Sequence, residues 1–162
     1  MVKLNKPFKA AVLFKQKKPL KVIKLQLPKS LERGQVLVKV LSAAICGAQI
    51  GEIKGIKGPD RWLTHCMGHE GYGLVVSKHK SVKNVKKNDY VIMHWRKGKG
   101  IDAKPPSYLS EYGKINAGQV TTFQEYSIVS ENRVTRVMKI NEKYEFLMPL
   151  LGCAIPTSWG II

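Results

Sequence analysis

Apolar and polar residues alternate with a period of two over Phe8 to Phe14, Leu20 to Leu27, Gln35 to Ala44, Gly71 to Ser77, Asp89 to Trp95 and Thr121 to Val129. Side chains on an extended backbone point to opposite faces in turn, so this spacing, with its Val and Ile content, predicts strands. Pro28, Gly34, the Gly55 to Pro59 stretch and Lys87-Asn88-Asp89 supply turn chemistry between them. Many short strands with little helix predict a mainly β fold with short helices, arranged as a barrel or a sandwich.

Helical spacing is expected in two places. One short helix follows Cys46, and another runs from about Glu142 to Leu151, where Tyr144, Leu147, Met148 and Leu151 fall at i, i+3, i+4 and i+7. The Arg96 to Gly118 segment, rich in Gly and carrying Pro105-Pro106, has weak periodicity and reads as an excursion from the barrel. The sequence closes on Ser158-Trp159-Gly160-Ile161-Ile162, an apolar run without a helix stop, which reads either as a truncation or as residues that dock on a partner.

Composition narrows the function classes. At 162 residues and 44% hydrophobic content the chain fits one folded domain, residues 1–162, and not a disordered or collagen-like class. No apolar run approaches the roughly 20 residues that cross a bilayer, so a cytoplasmic protein with no membrane partner is expected. The net charge of +17 comes mostly from dispersed lysine, the arginines being only Arg33, Arg61, Arg96, Arg133 and Arg136. Specific nucleic-acid readers gather Arg and stacking aromatics on one element, so a solvated Lys-rich surface is the expectation, with polyanion binding as the alternative. Cys46, Cys66 and Cys153, an odd set without an export signal, read as reduced thiols that are either buried or metal-bound.

Three features carry candidate chemistry. Gly68-His69-Glu70-Gly71 puts two polar side chains at the start of an apolar strand, Cys46 ends another strand and precedes Gly47, and Cys153 sits where the helical spacing stops. Each is also compatible with a purely structural role, since a free Cys behaves as a small hydrophobe. Together, two thiols and one imidazole have the composition of an open zinc site, and their wide separation suits a site assembled by tertiary structure.

In this order the residues resemble the catalytic, GroES-like half of the zinc-dependent medium-chain alcohol dehydrogenases. The matching pieces are Ala44-Ile45-Cys46-Gly47, Gly68-His69-Glu70-Gly71-Tyr72-Gly73, Val85 to Ile92 at the family's K-x-G-D-x-V turn, Phe123-Gln124-Glu125-Tyr126, and Leu150-Leu151-Gly152-Cys153 with Thr157. The resemblance implies a GroES-like, partly open β-barrel with Cys46, His69 and Cys153 as ligands of a catalytic Zn²⁺, and Glu70 as the acidic neighbour that approaches the ion during ligand exchange. It implies Trp95 as a wall of the alcohol pocket, Gly47 and Thr157 on the cofactor side, and an NAD(P) cofactor held with a Rossmann domain. Gln49 takes the place of the Asp that orients the His ligand, its amide oxygen being expected to accept the imidazole N–H.

Departures from the family matter as much. Ala48, on the substrate side, replaces the Ser or Thr that passes the substrate proton outward, and Gly51 replaces a relay His, so Glu70 acting through water, His65 or His94 are the candidate substitutes. Arg96 to Gly118 contains no cysteine, so no structural zinc is expected beside the catalytic one. No G-x-G-x-x-G occurs, Gly98-Lys99-Gly100 lacking the third glycine, so the chain is expected to be C-terminally truncated before a nucleotide-binding domain and to show little activity alone. The implied substrate is a small alcohol, polyol or sugar alcohol, or the corresponding carbonyl compound. Nucleic acid is not expected as a specific partner, and self-association stays open. The competing readings are a zinc-free quinone-reductase-like member and a non-catalytic basic β-barrel binding module.

Overall fold

A computed structural model describes residues 6–160. The elements run β1 (Pro7–Leu13), β2 (Lys21–Gln26), β3 (Gln35–Ala43), α1 (Gly47–Lys54), β4 (His65–Cys66), β5 (Gly71–Lys78) and β6 (Tyr90–Met93). They continue with β7 (Ser107–Ser110), β8 (Gly113–Asn116), β9 (Tyr126–Ser130), β10 (Val134–Val137), a 3₁₀ segment Glu142–Gly152 and α2 (Ala154–Trp159). The mainly β class with short helices is therefore the observed one. Of the closing apolar run, Ile161 and Ile162 lie outside the described residues.

The strands form two sheets. One has the order β1-β2-β7-β8-β4 and closes into a barrel where β4 pairs with β1, Val12 opposite Cys66. The other is five-stranded, in the order β10-β6-β5-β3-β9. Alternation explains how one chain fills two cores: Leu37 of β3 and Ile128 of β9 point into the barrel cluster with Phe8, Leu25, Tyr108 and Ile115. Their neighbours Val36, Val38 and Val129 face the opposite way, onto Val75, Val91 and Met93. Gln35 to Val38 are buried without interruption because β3 lies between β5 and β9 with a core on each side.

Three expectations are corrected. Arg96 to Gly118 does not leave the barrel: it contains the β7–β8 hairpin, whose paired Tyr108 and Ile115 are 1% and 0% exposed and complete the closed sheet. Thr121 to Val129 is a strand only from Tyr126, the earlier part touching β1 through one isolated bridge, Ala10 to Gln124. Glu142 to Gly152 is wound as 3₁₀ helix and not α-helix, and Pro149 inside it has no N–H to give an α-helical ladder. Among the described residues no helix is long and apolar enough to cross a membrane.

The second sheet positions the chemistry. Ala43 at the end of β3, Gly71 at the start of β5 and Met93 at the end of β6 are neighbours in register, so the residues just beyond them emerge along one edge. The Glu142–Gly152 segment packs across β3, β5 and β6 and returns the chain to that edge.

Candidate metal centre

Cys46 caps the N-terminus of α1 with an extended backbone, φ −91° and ψ 152°. Its carbonyl accepts the Gln49 N–H at 3.1 Å, and its own N–H donates to Gln49 Oε1 at 2.9 Å, which fixes the buried Gln49 side chain in the first turn. The helix ends at Gly55, whose φ of 70° gives it a left-handed cap. Gly47 and Ala48 are exposed, and a Cβ built on Gly47 would meet nothing within 4 Å, so this face of the turn is open.

His69 and Glu70 leave a constrained bend. The Met67 carbonyl accepts N–H groups from both Thr122 and Phe123 at 3.0 Å, and this clamp carries His69 and Glu70 to the sheet edge. Glu70 is 1% exposed, its Oε2 accepting the Ala154 N–H at 3.3 Å; burial pushes its carboxyl above the ordinary value and that hydrogen bond opposes the rise. His69 Nδ1 lies against Gln49 Nε2, while His69 Nε2 is buried without a hydrogen-bond partner. Burial first, and Lys57 second, hold the imidazole below its usual value, so it is neutral at pH 7.

Cys153 arrives from the other side. The Ser42 hydroxyl donates to the Glu145 carbonyl at 2.6 Å and pins the 3₁₀ segment to β3. Gly152 makes the close approach possible: a Cβ there would press into the Met93 carbonyl and lie 2.9 Å from Glu70 Cβ. Cys153 Sγ then sits 3.9 Å from Cys46 Sγ and 3.8 Å from Thr157 Oγ1. Burial raises the Cys153 thiol, the Thr157 hydroxyl opposes, and Cys46 and Glu70 add to the rise.

Donor atoms of Cys46, His69, Glu70 and Cys153 all lie within 4.8 Å of one another. Two thiolates at about 2.3 Å from one tetrahedral ion stand about 3.8 Å apart, which the 3.9 Å sulfur separation matches. The orphaned His69 Nε2 supplies the nitrogen donor such an ion requires. The residues present therefore fit a zinc ion, and Glu70 is near enough to compete for the fourth position.

The remaining sequence-derived residues are distributed around this cluster. Trp95 lies two residues past the Gly71–Met93 pair, at the sheet end that carries His69, and is 47% exposed. Thr157 on α2 is exposed and faces the Cys153 sulfur. Gln49 does touch the imidazole, but with the amide nitrogen and not the expected oxygen, because the oxygen is taken by the Cys46 N–H. His94 is occupied by the Arg96 carbonyl at 2.7 Å and the Thr135 hydroxyl at 3.0 Å. Cys66 is buried in the barrel, its thiol pushed up to about 12 by burial.

Behind His69 a cavity of about 720 Å³ opens, walled by Gln49, Glu52, His65, Lys104 and Thr121 among others. Ala48 and Trp95 are not among its lining residues. A second group of donors borders it: His65 Nε2 lies 2.7 Å from Asp60 Oδ2 and 3.6 Å from Glu52 Oε1. Trp62 N–H also binds Asp60 Oδ1 at 2.8 Å. Burial opposes ionisation of Asp60, yet the Trp62 N–H and His65 outweigh it and keep the carboxyl below its ordinary value. Sequence reading reached only His65 here, since nothing in the turn-rich Gly55 to Pro59 stretch signals that the following residue folds back on it.

Barrel, open sheet and edge cluster together have the architecture of a GroES-like domain. The chain belongs to the alcohol dehydrogenase GroES-like domain family, whose sequence model matches residues 32–140. It is similar to the alcohol dehydrogenase class-3 of Drosophila melanogaster, 30% identical over 94% of this chain and 46% of that protein. It is also similar to the S-(hydroxymethyl)glutathione dehydrogenase of a Synechocystis species, 27% identical over 95% of this chain and 47% of that protein. The chain thus spans about half the length of the curated relatives it matches.

Among solved structures, the Burkholderia ambifaria alcohol dehydrogenase zinc-binding domain protein superposes with a TM-score of 0.82 at 20% identity, over 96% of this chain and 48% of that one. The benzyl alcohol dehydrogenase of Acinetobacter calcoaceticus gives 0.75 at 21% identity, over 96% and 47%. At these identities the likeness speaks for a shared fold.

Proposed function

We propose that residues 1–162 form the zinc-bearing catalytic domain of an NAD(P)-dependent oxidoreductase acting on a small alcohol or its carbonyl counterpart, and that the domain works with a dinucleotide-binding domain. The observation that carries this reading is the 3.9 Å sulfur pair facing a buried imidazole nitrogen that has no other partner. Cys46, His69 and Cys153 would hold Zn²⁺, which when bound supplies Lewis acidity toward an alcohol or carbonyl oxygen.

The chain's own residues supply the rest. Glu70, buried and with its carboxyl pushed up by that burial, lies beside the ligand set and is the acid–base group placed there to relay a proton. Ala48 has no hydroxyl to pass a proton, so the outward route runs through Glu70. Exposed Gly47 and Thr157 leave the face beside the two cysteines free for a flat ring, and half-exposed Trp95 offers an apolar wall at the same edge. The test is zinc binding with turnover: the chain supplied with zinc binds a single ion that Cys46→Ala does not, and it oxidises alcohols with NAD(P) only when a dinucleotide-binding domain is supplied. Failure of the folded chain to bind added zinc would contradict the zinc assignment.

A second reading, a zinc-free quinone-reductase-like member, is favoured by one observation. Gln49 points an N–H at His69, where a metal-bound imidazole would need an acceptor. The same metal measurement separates the two readings.

A further inference from the structure

The amide of Gln49 is oriented by the backbone and not by the histidine. An amide offers one oxygen that accepts and one NH₂ that donates. The oxygen is committed to the Cys46 N–H at 2.9 Å, the bond that caps α1, so the NH₂ is what faces His69 Nδ1. Nδ1 is then an acceptor, and the proton of the neutral ring sits on Nε2. Nε2 is the nitrogen left for a metal, and it is buried without a partner. A ligating nitrogen must present its lone pair, so the ring of the metal-free protein carries its proton on the wrong atom.

Correcting this has a definite cost. The ring proton must move to Nδ1 and the amide must turn over to accept it, which brings the amide NH₂ against the Cys46 N–H, donor against donor. Gln49 is 2% exposed, and a polar group left unpaired in so buried a place is costly. A carboxylate at the same position has two acceptor oxygens and serves the Cys46 N–H and the His69 N–H at once.

Resting on the zinc reading above, we propose that Gln49 is a positioning residue that holds His69 in the tautomer opposed to metal binding and thereby sets the zinc affinity of the site below that of a carboxylate-supported one. The site is a weak or exchangeable zinc centre, tuned from the residue behind the histidine. Partners of a ligating histidine commonly alter metal affinity by about ten- to hundredfold, and that range applies here.

The experiment has two parts. Ring ¹⁵N chemical shifts of His69 in the metal-free protein at neutral pH, assigned with His69→Asn, are expected to place the proton on Nε2 in the wild type and on Nδ1 in Gln49→Glu. Zinc competition against a chelator of known affinity is expected to show Gln49→Glu tighter by about ten- to hundredfold. A wild-type ring proton on Nδ1, or equal zinc affinity in the two proteins, overturns the proposal while leaving the zinc reading intact. Absence of zinc binding in both proteins overturns the zinc reading and this inference with it.

Should Gln49→Glu fail to fold, the wild type alone decides. Zinc uptake is expected to move the ring proton to Nδ1 and to release the Cys46 amide from hydrogen-exchange protection. A Cys46 amide that stays protected on zinc uptake overturns the proposal.

Discussion

Cys46 Sγ and Cys153 Sγ stand 3.9 Å apart although 107 residues separate them in the chain. Two local devices set the distance: the capped first turn of α1 fixes Cys46, and the missing side chain of Gly152 lets Cys153 settle beside Glu70. Gly152→Ala is therefore expected to weaken zinc binding and to destabilise the fold by about 1–3 kcal/mol, the usual range for overpacking. Urea denaturation and zinc competition check both effects. A variant with unchanged stability and affinity would show that the 3₁₀ segment adjusts freely.

Closure of the barrel by the Gly-rich segment gives a second expectation. Ile115→Ala removes a fully buried side chain of β8 and is expected to cost about 2–5 kcal/mol, whereas Lys114→Ala beside it, exposed, stays within about 0.5 kcal/mol. Equal small effects at both positions would mean that β8 contributes nothing to the core.

Acid stability should depend on Glu131. Its buried carboxylate accepts N–H groups from Lys83 at 2.6 Å, Ile101 at 2.9 Å and Asn84 at 3.0 Å. Burial works against the charge, but these backbone donors overcome it and hold the carboxyl below the ordinary 4.5. A group depressed in the folded state contributes stability above its unfolded value and loses it as pH falls through the folded value. The wild type is thus expected to lose stability below about pH 4.5 more steeply than Glu131→Gln. Parallel denaturation curves at each pH would contradict this.

Thiol accessibility separates the three cysteines. Cys66 is 3% exposed with its thiol near 12, so an aromatic disulfide reagent should leave it unmodified in the native protein. Zinc is expected to slow labelling of Cys46 and Cys153 specifically, as read by mass spectrometry of peptides. Rapid labelling of Cys66, or indifference of the other two to zinc, would be the contrary result.

Legibility from the sequence followed the length and sidedness of each element. β1, β3 and β5 present several alternating or continuous buried positions and were readable as strands. β7 and β8 each have only four residues and one fully buried side chain, Tyr108 and Ile115, too few to set a period against the surrounding Gly and Pro. The 142–152 spacing was real, but the segment, with Pro149 inside it, winds as 3₁₀ helix. Cys46, His69 and Cys153 were recognisable through their order and flanking glycines, because those glycines mark where backbones pack closely. The Gln49 amide orientation was not, since it depends on a hydrogen bond to the Cys46 backbone that residue identity does not encode.

The central claim is that Cys46, His69 and Cys153 close on one zinc ion, and X-ray absorption at the zinc edge of the zinc-loaded chain tests it most directly. The account predicts two sulfur neighbours at about 2.3 Å and one imidazole nitrogen at about 2.0–2.1 Å, with one sulfur lost in Cys153→Ser. A zinc shell of oxygen and nitrogen alone, unchanged by that substitution, would contradict it.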